Sequence, residues 1–160
     1  LKEAREKTES GTDSAETPLI FDCRNTYETD VGTFEGAKAL GTDNFRDSWE
    51  VFKEELADKP PDTPIMTFCT GGIRCVKVGA YLTQEMGFTN VSRLAGGIIA
   101  YDRTLTANAT DEESMFKGVN YVFDGRVGRQ ITDDAMGECV TCGCKANLLS
   151  NCLLNLLCAL

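Results

Sequence analysis

The chain has 160 residues, 42% of them apolar, and a formal net charge of −9. That length fits one ordinary domain with segments to spare, and the acidic balance excludes nucleic-acid binding by bulk charge, which needs clustered Lys and Arg. Histidine is missing altogether, which excludes Ser-His and Cys-His dyads and histidine-held metals and leaves acid–base work to Cys, Asp, Glu, Lys, Tyr or water.

Residues 1–17, "LKEAREKTESGTDSAET", are mostly charged or small and polar and lack a hydrophobic signal core. They read as a disordered linker, and the chain as part of a longer protein. "PLIFDC" (Pro18 to Cys23) has the apolar run of a buried parallel strand. In "RNTYETDVGTFEGAKAL", Gly32 and Gly36 interrupt any regular element. "DNFRDSWEVFKEEL" places Phe45, Trp49, Phe52 and Leu56 on one helical face, with Asp43 or Asn44 as N-cap.

After the proline-rich "ADKPPDTP", Ile65 to Cys69 form a second buried strand. Cys75, Val78, Gly79, Leu82 and Met86 share a helical face, and Gly87 stops that helix. "TNVSRL" is a third strand and "IIAYDRTL" a short helix, so strands alternate with helices. This pattern predicts an α/β domain over residues 18–107 with a parallel sheet covered on both faces. Residues 108–160 form an extension: a hairpin around Asp124-Gly125, then a cysteine- and leucine-rich end. No apolar run is long enough to span a membrane.

The chemistry concentrates in "CTGGIRC", Cys69 to Cys75. A strand that ends at Cys69 and turns at once into a helix puts the sulfur at the carboxyl edge of a parallel sheet, where sites form. Thr70, Gly71, Gly72, Ile73 and Cys75 then supply backbone N–H groups that converge on the sulfur. These predict a nucleophilic thiolate with a pKa below the ordinary ~8.5. Arg74 adds positive charge at the rim, either closing the loop or binding a substrate anion. Four residues separate Cys69 from Arg74, one fewer than in the cradle of cysteine phosphatases, which favours a single sulfur atom over phosphate. Cys75 reads as core rather than as a second reactive thiol, Cys23 as structural, and Asp22 with Arg24 as a loop-holding pair.

Three motifs in order resemble the rhodanese superfamily: "DCRNTYETDVGTFEGA", "CTGGIR" and "RLAGGIIAY". The resemblance covers residues 18–105, with Thr33 where many members carry histidine. It implies a rhodanese-like α/β fold with a central parallel sheet of about five strands, and Cys69 as the nucleophile that carries sulfur as a persulfide. A closer resemblance, through "RNTYETDVGTF", "CTGGIRCVK" and "YVFDGRV", is to the branch that hydroxylates the wobble uridine of tRNA, although Val76 stands where an acidic residue is common.

Three functions follow. The first is a sulfurtransferase moving sulfur from thiosulfate or a persulfide donor to a thiol or cyanide, with no cofactor. The second is a tRNA uridine hydroxylase using Cys69, with tRNA bound with the help of further domains. The third is a non-catalytic binding module. The thiols imply a reducing interior, cytoplasmic or organellar such as a plastid. Cys139, Cys142, Cys152 and Cys158 form two pairs that could hold a structural zinc, the other reading being an incomplete zinc ribbon with free thiols.

Overall fold

The computed structural model describes residues 17–108, 113–124, 127–139 and 142–147. The predicted linker falls almost wholly outside these residues, and Gly125, Cys152 and Cys158 lie outside them as well.

The elements run β1 (Leu19–Asp22), α1 (Thr26–Thr29), β2 (Gly32–Phe34), β3 (Lys38–Ala39), a single 3₁₀ turn (Phe45–Asp47) and α2 (Ser48–Glu55). Then come β4 (Ile65–Phe68), α3 (Ile73–Ala80), which continues as a π-helical turn (Tyr81–Glu85), β5 (Val91–Arg93) and α4 (Gly97–Asn108). An antiparallel pair, β6 (Phe116–Tyr121) and β7 (Gly128–Gln130), completes the described chain. No described helix is long and apolar enough to cross a membrane.

The fold is the rhodanese-like α/β fold. Its parallel sheet has four strands among the described residues, in the order β3-β1-β4-β5, rather than the expected five or so. A three-stranded antiparallel sheet, β2-β6-β7, takes up the remaining strands. β2 lies in the stretch expected to be irregular, but Gly32 and Phe34 pair with Gly118 and Phe116 across a long sequence gap. β6 thereby joins the predicted extension to the body of the domain.

Side-chain alternation along β1 and β4 divides the core in two. Leu19, Phe21, Cys23, Ile65 and Cys69 face α2 and α3, where they pack with Phe52, Leu56, Cys75, Val78 and Leu82. Ile20 and Phe68 face the other way, toward Phe34, Phe116, Ile98 and Tyr101. The expected helix face Phe45, Trp49, Phe52 and Leu56 is realised against the first of these cores.

Phe34 is the hub of the second core. Its ring meets Phe68, Tyr101 and Phe116 edge-on at centroid distances of 4.9, 4.8 and 5.3 Å. Deleting such a fully buried ring removes its transfer energy and leaves a cavity. Phe34→Ala is expected to cost about 3–5 kcal/mol and to lower Tm by about 10 °C in a calorimetric melt. A shift of a degree or two would show that the ring is not the hub.

Candidate active site

β4 ends one residue before Cys69, and the chain turns through Thr70, Gly71 and Gly72 into α3. Gly72 holds φ +83° at the start of the helix and donates its N–H to Cys69 Sγ at 3.1 Å. The loop is fixed from outside by α4. Ile98 and Ile99 donate their N–H groups to the carbonyls of Cys69 and Thr70, each at 3.1 Å. Such close approach requires glycine at position 97, because a Cβ there would stand 2.4 Å from the Cys69 carbonyl and 2.7 Å from Gly72 N. The Gly-Gly step singled out in the sequence is thus a backbone clasp on the reactive loop.

Arg74 does not point to solvent. Its guanidinium forms a two-pronged pair with Glu28, Nη1 to Oε2 at 2.6 Å and Nη2 to Oε1 at 2.7 Å, and also donates to Thr70 Oγ1 at 3.1 Å. Thr70 Oγ1 in turn donates to Glu28 Oε1 at 3.0 Å, and Asn25 N–H donates to Oε2 at 3.1 Å. Glu28 is fully buried and accepts four hydrogen bonds; sequence reasoning gave it no role. The available signal was its position three residues after Asn25, the spacing of a capping box. Burial pushes the Glu28 carboxyl up, but Arg74, the Asn25 N–H and Thr70 outweigh it and hold the pKa below the ordinary value.

Asp22 and Arg24 form the second buried pair. Arg24 Nε and Nη2 reach the Asp22 carboxylate at 2.9 and 2.6 Å, and Thr33 Oγ1 donates to the same group at 2.8 Å. Thr33, which stands where many relatives have histidine, therefore serves as a hydrogen-bond donor to this pair. Arg24 also bonds the Gly32 carbonyl and lies over the Phe68 and Phe116 rings. The pair ties β1 to the β2 edge below the loop.

Cys69 is 1% exposed and packs in one core with Cys75 and Cys23. The expected low thiol pKa is not found. A hydrogen bond from the Cys69 thiol to the Cys75 sulfur, together with burial, pushes Cys69 up, against the opposing pull of a backbone N–H and of Arg74. Cys75 itself is pushed up to about 12 by its contact with Cys23. Strand alternation explains the difference: it turns the Cys69 sulfur into the α3 core beside other thiols. Ile73 is exposed on the outer side of the loop.

The C-terminal cysteines are only partly described. Cys139 N–H bonds the Cys144 carbonyl at 2.8 Å, and Cys142 and Cys144 are exposed. Among the described residues no group of three or more His, Cys, Asp or Glu is arranged to hold a metal.

The chain belongs to the rhodanese-like family: the Rhodanese-like domain model matches residues 2–104. A second model, "Rhodanase C-terminal", matches residues 117–159. Among curated proteins, the chain is 42% identical over 134 residues to a tRNA uridine(34) hydroxylase of Pectobacterium carotovorum, and 42% over 134 residues to one of Photorhabdus laumondii. It is 39% identical over 137 residues to one of Leptospira interrogans. These matches cover 84–86% of this chain but only 36–37% of the relatives' length. Among solved structures, the rhodanese-like domain of an Anabaena protein covers 78% of this chain and 79% of its own, with TM-score 0.49 and 20% identity.

These relatives overturn the sulfurtransferase reading. The loop length that favoured sulfur over phosphate does not separate it from hydroxylation, because the resemblance to the hydroxylase branch runs through the same "CTGGIRCVK". Arg74, moreover, is engaged by Glu28 instead of facing an anionic sulfur donor.

Two outcomes follow from the site. Since the Cys69 pKa is raised, iodoacetamide alkylation should climb with pH beyond 9 instead of levelling off near neutrality. Cys75→Ala removes the largest cause of that rise, so its alkylation should be about tenfold faster at pH 8; an unchanged rate would contradict the assignment. For Glu28, a depressed folded pKa gives stability that is present above the unfolded value of ~4.3 and lost as pH falls through the folded one. Glu28→Gln should flatten that acid limb and cost about 3 kcal/mol at pH 7 by leaving Arg74 without its partner, read from urea unfolding at several pH values.

Proposed function

We propose that the chain is the rhodanese-like part of a tRNA uridine hydroxylase, with Cys69 carrying the chemistry at the wobble uridine. The observation behind this reading is the extent of the similarity: proteins named tRNA uridine(34) hydroxylase align over 84% or more of the chain, with family models matching the α/β domain and the segment after it. The net charge of −9 makes tRNA binding depend on segments of a longer protein.

The chemistry of uracil is compatible with a thiol nucleophile. Sulfur addition at C6 turns C5 into a nucleophilic carbon, and expulsion of the sulfur after C5 is oxidised restores the thiol. Converting C5–H to C5–OH is a two-electron oxidation, so dioxygen together with a two-electron donor is the class of co-reactant needed. Within the loop, Arg74 pulls the Cys69 pKa down against the larger upward push of Cys75 and burial, and Glu28 fixes Arg74 in place.

The test is nucleoside analysis of tRNA from cells deleted for the gene. Derivatives of 5-hydroxyuridine should fall to background, return with the wild-type gene and stay absent with Cys69→Ser. Unchanged levels in the deletion strain, or full rescue by Cys69→Ser, would refute the reading.

A further inference from the structure

At the rim of the reactive loop, three aromatic side chains from two separate parts of the sequence form a continuous run. Tyr27 of α1 meets Tyr121 of β6 edge-on at 5.3 Å and 76°, and Tyr121 meets Phe123 at 5.2 Å and 71°. Phe123 completes the connection to the site, since the Arg74 guanidinium carbon lies 5.9 Å from its ring centre. Tyr27 adjoins Glu28, the partner of Arg74, so both ends of the run rest on the same buried ion pair. Phe123 is 66% exposed, Tyr27 44% and the neighbouring loop residue Ile73 74%. Neither apolar core includes Tyr27, Tyr121 or Phe123, so core packing does not account for them.

We infer that this run is a stacking surface for an unpaired pyrimidine base of single-stranded RNA, placed at the rim of the Cys69 loop where Arg74 lies against Phe123. The identity of the base rests on the hydroxylase reading above; the stacking itself does not. Three points favour a base as occupant. The surface is aromatic and flat-sided rather than aliphatic, which suits a planar π-system. It is continuous with the reactive loop through Arg74 and Phe123. Stacking, unlike phosphate binding, needs no positive field, and a chain of net charge −9 does not supply one in bulk.

The experiment measures fluorescence polarisation of a labelled anticodon stem-loop RNA titrated with the full-length protein, including the segments on which tRNA binding depends. One RNA carries uridine at the first anticodon position and the other 5,6-dihydrouridine, whose ring is not planar. Uridine should bind roughly tenfold more tightly. Phe123→Leu, apolar but without a π-face, should lose that discrimination, and Phe123→Tyr should keep it. Alkylation of Cys69 checks that the loop is intact in each variant. Equal affinity for the two RNAs, undiminished discrimination in Phe123→Leu, or no RNA binding at all would overturn the inference. So would a dimer in sedimentation that Phe123→Leu dissolves, since the surface would then belong to a second copy. If discrimination holds but deletion leaves hydroxylated nucleosides unchanged, stacking stands and the hydroxylase reading falls. If deletion removes them and Phe123→Leu restores them fully, the hydroxylase reading stands and stacking falls.

Discussion

The Glu28–Arg74 pair joins two parts of the chain that are 46 residues apart, and the reactive loop depends on it. A carboxylate this deeply buried is tolerable only when its lone pairs are filled, and Arg74, Thr70 and the Asn25 amide fill them. Geometry follows from that demand. To satisfy Glu28, Thr70 and Arg74 must approach the same point, which bends the residues between them around the end of β4. The ion pair contributes to the shape of the loop at least as much as to its charge, and a lysine could not reproduce both prongs.

The opposite wall of the loop is held by main chain alone. Ile98 and Ile99 donate to the loop carbonyls across Gly97. Side-chain pairing on one side and backbone hydrogen bonds on the other confine a segment that has little apolar surface of its own. Below it, the Asp22–Arg24 pair and the rings of Phe34, Phe68 and Phe116 connect the sheet to the β2-β6 ribbon. The segment after α4 therefore takes part in the same core as the loop's supporting strand.

Much of this was legible in the chain. The apolar runs before Cys23 and Cys69, the face made by Cys75, Val78 and Leu82, and the hairpin near Asp124 each carry a periodicity that secondary structure enforces. β2 and β3 were not legible: they are only three and two residues long, lie among glycines and are strands only because of distant partners. Glu28 escaped notice because a glutamate in a four-residue helix looks like a solvated one until its partners are known. The thiol pKa was misjudged for a related reason. Loop glycines advertise N–H donors, whereas the direction in which the sulfur points is set by strand parity, counted from β4. The choice between sulfur transfer and hydroxylation lay beyond the loop, in how far the likeness to one branch extends.

Those two amide bonds from α4 give the reactive loop a mechanical companion. Any opening of the loop at Cys69 or Thr70 must pull on the first turn of α4, and losing both bonds costs about 2 kcal/mol. α4 in turn carries Tyr101, whose hydroxyl accepts the N–H of Met115 at 2.9 Å just before β6. One helix thus bonds both to the loop and to the residue just before the strand that ends in Tyr121. The carbonyls around Cys69 and the segment that enters β6 therefore hang on one helix, through its first turn and through Tyr101.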